Sequence, residues 1–268
     1  MTSEQTMVFR KTNTQCGRHI SVTPANSANR HLSYGRIALR AGMKSAHSTD
    51  GSETGLIVLN GAATVVVDGE RSDLSQYDGI YIPRDSFVEV STNTSADIAE
   101  FSAPVAHLYP VQVVRYADVE KDPTLSLRPG STGQQRRVYI VLGKNVQAGR
   151  LMLGFTVSEP GNWTSWPPHE HTSMLEEMYV YFDMPEPAFG IQLVYKNTEY
   201  PELVTVVRDG DAVLMPSGYH PNVSVPGHRI SFLWAMAAHR EFDDRQYGVV
   251  NVQPEFRGSG SGLEASRK

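Results

Sequence analysis

The sequence predicts an all-β protein built from two jelly-roll β-barrels in tandem, and three observations predict it. Short runs rich in β-branched and aromatic residues recur along the whole chain, tight-turn dipeptides part them, and a hairpin-then-proline pattern occurs once in each half. Long stretches with apolar positions at helical spacing are scarce.

In the first half GLIVLNG (from Gly55), AATVVVDG (from Ala62) and DGIYIPRDSFVEVS (from Asp78) read as strands. Asn60-Gly61, Asp68-Gly69 and Asp78-Gly79 separate them, and such dipeptides accept the positive φ of tight hairpin turns. RRVYIVLG, GRLMLGFTVS, EEMYVYFDM, FGIQLVY, ELVTVVRDG, DAVLMP and HRISFLWAMA continue the pattern in the second half. Between the halves, residues 120–135 carry Pro123, Pro129, Gly130 and Gly133, which interrupt any regular element and mark a linker. This divides the chain into a domain at 1–119, the linker, a second domain at 136–256, and a Gly/Ser-rich tail at 257–268 expected to be flexible. Tyr77-Asp78-Gly79 with Pro83 four residues on is mirrored by Arg208-Asp209-Gly210 with Pro216 six residues on, one unit of an antiparallel barrel in each half.

Composition narrows the function. Lys and Arg number 24 against 29 Asp and Glu, a net charge of −5 that offers no footprint for phosphate backbones or anionic lipid, so neither a nucleic-acid nor a membrane partner is expected. No apolar run approaches the ~20 residues of a membrane span, and the polar N-terminus has no signal-peptide core. Cys16 is the single cysteine, which excludes an internal disulfide and suits a reducing cytoplasm.

The stretch GNWTSWPPHEHTSMLEEMYVYF, from Gly161, holds the chemistry. In an extended strand alternate side chains share a face, so His169 and His171 converge while Glu170 turns away. After a short turn, one of Glu176 and Glu177 must face the same interior. Glu177 shares its face with Tyr179 and Tyr181, Glu176 with the apolar Met178, Val180 and Phe182, which favours Glu177 as ligand. GDAVLMPSGYHPN then ends a strand in a Pro-and-Gly turn that throws His220 inward. Three imidazoles and a carboxylate form a borderline site for a divalent metal such as Zn, Mn, Fe, Ni or Co. The remaining histidines lack partner spacing and read as packed or solvated, and Trp163, Trp166 and Trp234 read as barrel core.

H-x-H, then Glu, then G-x(5)-P-x-G-x-H resembles the two metal motifs of the cupin superfamily, and the fold this implies is a bicupin. GNWTSWPPHEH, LEEMYVYF, FGIQLVY and GDAVLMPSGYHP look like the 5-deoxy-glucuronate isomerase family of inositol catabolism, which is related to the 5-keto-4-deoxyuronate isomerases. The resemblance implies an intramolecular aldose–ketose isomerase with His169, His171, Glu177 and His220 around a metal, usually assigned as zinc, and a small sugar acid as substrate. It departs from the pattern at Thr172, where Asp is typical, and at Leu193, where an Arg is common. The first half has only His47 in the corresponding region and Phe87 after Pro83, so it reads as a scaffold without metal.

In such a reaction the metal acts as Lewis acid while a base moves a proton between neighbouring carbons. Candidates for that role are Tyr179, Tyr181, Glu176 and Tyr219; Gln192, Tyr195, Lys196 and Arg208 are candidates for substrate contacts, with Arg150 and Arg229 further options for the carboxylate. The competing readings are a cupin dioxygenase and a non-catalytic sugar-binding cupin. Exposed sheet edges lead to the expectation of a homo-oligomer.

Overall fold

The computed structural model describes residues 6–259, and its class is all-β with antiparallel pairing throughout the described sheets. The first half is a six-stranded sheet, in the order Gln112–Val114, Gly79–Ile82, Ser52–Gly61, Ser95–Pro104, Ser33–Arg40, Gly17–Val22. Its companion is a four-stranded sheet of Lys44–Ser48, Phe87–Ser91, Ala63–Val67 and Glu70–Leu74. The second half repeats the plan. Its large sheet runs Val8–Phe9, Ala212–Met215, Leu175–Tyr181, Ser231–Ala238, Leu151–Ser158, Arg136–Leu142, Ser126–Leu127. Its companion contains Trp163–Thr164, Asn222–Ser224, Gly190–Val194 and Leu203–Val207, and a separate short pair joins His169–Glu170 to Asn251–Val252.

Burial follows the layering. Leu203–Val207 alternates buried and exposed, as an outer strand covered on one face must, whereas Leu175–Tyr181 and Ser231–Ala238 are buried at every position because both faces are covered. The second cover is the other half: Ile57, Tyr81 and Phe101 of the first large sheet share one core with Val141, Phe155, Met178 and Leu233 of the second. Gly55 and Gly79 lie at this contact, where a Cβ would meet Leu153 and Val141.

Two buried carboxylates tie the halves reciprocally. Glu53 accepts the backbone N–H groups of Gly149 (2.8 Å), Arg150 (2.6 Å) and Leu151 (2.7 Å). Glu176 accepts those of Arg30 (2.7 Å), His31 (2.8 Å) and Leu32 (2.6 Å). Each carboxylate thus satisfies the donors of a segment that enters a strand of the opposite half, a strong use of an ionised acceptor.

The segment boundaries are less modular than the sequence reading. Val8–Phe9 pairs with Ala212 and Val213 in the second half, so the N-terminal segment does not belong to the first sheet. The expected linker carries the end of the helix Tyr116–Lys121 and the edge strand Ser126–Leu127. Of the expected tail, Arg257–Ser259 falls in the 3-10 helix Pro254–Ser259, and residues 260–268 lie outside the described residues. No helix among the described residues is long and apolar enough to cross a membrane.

Candidate metal centre

The second half gathers His171, Glu177 and His220 inside its barrel, with donor atoms all within 4.8 Å of one another. Glu177 reaches inward from Leu175–Tyr181, where it pairs across to Met215 and Met236, while Glu176 beside it points to the first half. His220 sits in the turn after Ala212–Met215, and His171 follows the short strand His169–Glu170. One carboxylate oxygen is the meeting point: Glu177 Oε2 lies 2.9 Å from His171 Nε2 and 3.0 Å from His220 Nε2.

Second contacts fix the rings. Nδ1 of His220 lies 2.9 Å from the Gly218 carbonyl, Nδ1 of His169 lies 2.9 Å from that of Pro167, and Nδ1 of His171 lies 3.4 Å from that of Leu175. A ring nitrogen that donates to a carbonyl leaves the other nitrogen with its lone pair available to a cation. His220 Nε2 is buried and finds no hydrogen-bond partner of acceptable geometry, although it is close to Glu177. Neighbouring donors of a tetrahedral zinc site stand about 3.3 Å apart when bond lengths are 2.0–2.1 Å, close to the spacing here. The residues present therefore fit a divalent metal.

His169 stands apart from the three. Its ring is 5.0 Å from that of His220 and 6.3 Å from that of His171, and its strand is tied to Asn251–Val252. Burial, followed by the nearby His220, lowers it to about 3, so it is neutral at ordinary pH. Burial would raise Glu177, but hydrogen bonds from His171 and His220 outweigh it and hold the carboxyl at about 2. His171 moves up, because its bond to Glu177 outweighs the desolvation that opposes it.

His171 and Glu177 line a cavity of about 60 Å³, walled in part by Arg136, His169, Tyr179, Trp234, Met236 and Tyr247. Gly248, Val249 and Val250 close one side. Tyr179 donates to or accepts from Ser165 Oγ at 2.6 Å, and burial, with Glu177 second, pushes its phenol well up.

The other expected residues lie elsewhere. Tyr181 is wholly buried, donating to Gln192 Oε1 (2.7 Å) and accepting from Asn222. Gln192 is equally buried and donates to the His220 carbonyl at 3.0 Å, so it props the metal-site turn instead of facing the cavity. Tyr195 and Tyr219 are joined by backbone bonds outside the cavity wall, and Tyr195 Oη donates to Gln253. Lys196 and Arg208 are exposed. Arg229 pairs with Asp183 at the surface, and Arg150 donates to carbonyls of Pro104, Ala238 and His239. These placements follow from the strands that carry the residues, since Gly190–Val194 and its neighbours form the opposing sheet. Arg136 and Tyr247 were not expected at the site; the available clue was alternation, which sets Arg136 on one face with Val138 and Ile140 of the inner core.

Comparison with known proteins adds the family. The KduI/IolB family model matches residues 7–253. A 5-deoxy-glucuronate isomerase of Geobacillus thermodenitrificans is 28% identical over 239 residues, 82% of this chain and 85% of the relative. A 4-deoxy-L-threo-5-hexosulose-uronate ketol-isomerase of Caldicellulosiruptor bescii is 30% identical over 209 residues, 75% of this chain and 71% of the relative. Among solved structures, an IolB-like protein of Salmonella typhimurium superposes with a TM-score of 0.83 at 22% identity, covering 95% of this chain and 99% of that one. An oxalate decarboxylase of Bacillus subtilis superposes with a TM-score of 0.65 at 14% identity, covering 86% and 77%.

Proposed function

This chain belongs to the KduI/IolB family, and on that premise we propose that it is a metal-dependent aldose–ketose isomerase of a deoxy-sugar acid, 5-deoxy-glucuronate first among the substrates. The observation that carries the reading is the buried convergence of His171, Glu177 and His220, two of which line a cavity, in a chain whose curated relatives are named sugar-acid isomerases. We assign the two sheet pairs to two tandem cupin barrels, of which the second works.

His171, Glu177 and His220 would hold the cation, with His169 at the edge of the group. Bound there, a divalent metal supplies Lewis-acid polarisation of the substrate carbonyl. Tyr179 Oη is the protonated group at the cavity wall, and Ser165 Oγ holds it in place at 2.6 Å. Its raised phenol keeps the proton available as a donor at neutral pH, and neutralising Glu177's charge removes one of the influences that push it up. Tyr179 is therefore the residue of this chain suited to donate a proton to the substrate oxygen as the enediol forms, a separate group being the base that takes the proton from carbon. Trp234, Met236 and Phe232 keep bulk water from the reacting carbons.

The test is elemental analysis of the purified protein together with turnover of 5-deoxy-glucuronate and 4-deoxy-L-threo-5-hexosulose uronate. About one equivalent of metal with turnover of either acid is expected, and Tyr179→Phe should retain the metal while losing roughly 100-fold in kcat, the scale of a general acid or base. Absence of both metal and turnover would overturn the proposal.

A further inference from the structure

We propose that a cavity between the two halves, on the reverse face of the sheet that lines the metal-site cavity, is a second binding site. Its ligand is a small organic acid whose carboxylate meets a polar rung of the sheet and whose carbon body packs on aromatic rings. Alternation along three adjacent strands creates the site. Arg136, Thr156 and Phe232 line the metal-site cavity, whereas their sequence neighbours Arg137, Val157 and Ser231 line a separate cavity of about 170 Å³. Tyr77 of the first half and Tyr116 of the helix Tyr116–Lys121 also wall it. The proposal goes beyond the isomerase reading and does not depend on it.

One wall is polar and unfinished. Arg137 lies opposite Val157 and Val157 opposite Ser231, so the three residues form one rung and share one face. Both ends of the rung carry an orphan: among the described residues the buried atoms Arg137 Nε and Ser231 Oγ have no hydrogen-bond partner, and Ser231 is 1% exposed. A buried polar group left unpaired carries a desolvation cost that a bound partner removes. Both groups can donate, and a carboxylate has the lone pairs to accept from a guanidinium edge and a hydroxyl at once.

The other wall is a closed circuit of rings. Tyr77 packs on Phe155 with centroids 4.8 Å apart, and Phe155 stacks on Tyr139 at 4.7 Å. Tyr139 meets Tyr116 edge-on at 5.4 Å, and Tyr116 returns to Tyr77 at 5.3 Å. Rings fixed by such contacts offer a large apolar surface to the body of a ligand. Burial pushes the phenols of Tyr77 and Tyr116 up, so both stay neutral and do not repel an anion. Asp183 is the one carboxylate among the described lining residues, and Arg229 pairs with it at 2.8 Å, which leaves Arg137 as the excess charge of the wall. An inorganic oxyanion would meet the polar rung but leave the rings unused, which favours an organic acid.

The experiment is isothermal titration calorimetry on the full chain in excess chelator, which keeps metal in the other cavity from taking the acid. Benzoate is the probe, benzamide its neutral counterpart and inorganic phosphate the bare oxyanion. Wild type, Arg137→Met and Ser231→Ala are compared, each checked by its thermal midpoint. Benzoate should bind the wild type about 10-fold more tightly than benzamide or phosphate, Arg137→Met should weaken it by about 10-fold or more, and Ser231→Ala by about 3-fold. Ser231→Ala only removes a hydroxyl without a partner, so it keeps the fold and decides the matter should Arg137→Met unfold. No saturable benzoate binding, the result if ordered water alone fills the cavity, would overturn the proposal. Benzamide or phosphate binding as tightly as benzoate would overturn the ligand class, and benzoate affinity unchanged in the folded variants would place the acid elsewhere and overturn the site. None of these readouts involves turnover, so failure here is distinct from failure of the isomerase reading.

Discussion

Adjacent glutamates in one strand should fail in opposite ways. Glu176 is 2% exposed and accepts three backbone N–H groups from the first half, whereas Glu177, also 2% exposed, faces His171 and His220. In Glu176→Gln an amide oxygen at the Oε1 place still meets the His31 and Leu32 N–H groups but as a neutral acceptor, and the new amide nitrogen at the Oε2 place is a donor turned toward the Arg30 N–H. Each bond to a charged acceptor is worth roughly 1.5–3 kcal/mol. Arg30 is exposed and His31 half-buried, so water recovers part of the loss there, while Leu32 is wholly buried and recovers none. A net cost of about 3 kcal/mol follows, which at this chain length lowers the thermal midpoint by roughly 6–12 °C.

Glu177→Gln strands no buried charge, because His171 and His220 can stay as neutral imidazoles and the amide oxygen still accepts from them, so the metal-free protein should change by only about 1 kcal/mol. The assay is thermal unfolding in excess chelator, which removes the stabilisation that bound metal lends the folded state, paired with elemental analysis without chelator. Glu176→Gln should melt early and keep its metal; Glu177→Gln should melt near wild type and lose it. A Glu176→Gln midpoint equal to wild type in chelator, or the reverse assignment of metal loss, would refute the reasoning.

Metal affinity should rise with pH as His171, raised by Glu177, gives up its proton, whereas His169, lowered to about 3, contributes no proton release; titrations of metal binding between about pH 6 and 8 check this. In the metal-free protein the same pair stabilises by opposite limits: His171's share is full below 6.5 and is lost as pH climbs through its raised value, and Glu177's is present above 4.5 and lost as pH falls through about 2, so chelated protein should melt highest between these limits if the pair dominates. Gly154→Ala places a Cβ against the Trp234 ring and the Tyr139 carbonyl, and should cost about 1–3 kcal/mol in unfolding assays while pushing the ring into the cavity and lowering kcat/KM. Asn251→Ala removes the side-chain bond to Glu170 (2.6 Å) next to the Gly248–Val250 wall of the cavity, and should raise KM in steady-state kinetics while leaving metal content unchanged.

The convergence of His171, Glu177 and His220 was legible because strand alternation and a Pro-Gly turn are local rules that place these side chains without reference to anything distant. The tie made by Glu176 was not legible, since its partners are backbone groups 144 to 146 residues away. Gln192, Tyr195, Lys196 and Tyr219 are candidates because they lie on or beside strands expected to neighbour the motif, and Arg208 because a cation should meet the substrate carboxylate. Sheet order sends them to the opposing layer or to the surface, and no periodicity reveals which layer a strand joins. Arg136 is the reverse case, the first of two arginines that open a strand with no motif around them.

The reciprocal carboxylates also align the two halves, of which, among the described residues, the second gathers a His/Glu cluster able to hold a metal. Matching Glu53 to Glu176 sets Thr54 against Glu177, and the registers agree: Thr54 lies opposite Ile82 and Glu177 opposite Met215, each one residue before a proline. Counting on from Pro83 and Pro216 sets Phe87 against His220. The wall corresponds as well, since Glu100 lies opposite Gly35 and Leu56 as Trp234 lies opposite Gly154 and Tyr179. There Glu100 is held by Arg18 at 2.8 and 2.7 Å, a cation supplied by the chain itself. Restoring Glu at position 54 and His at 87 would still not rebuild the site, because Phe87 is 50% exposed at the start of a strand whereas His220 is 1% exposed in an inward turn. Joining the halves uses a carboxylate from each, so Glu53 and Glu176 keep matching places in the two strands whether or not the neighbouring position, Thr54 or Glu177, carries a carboxylate.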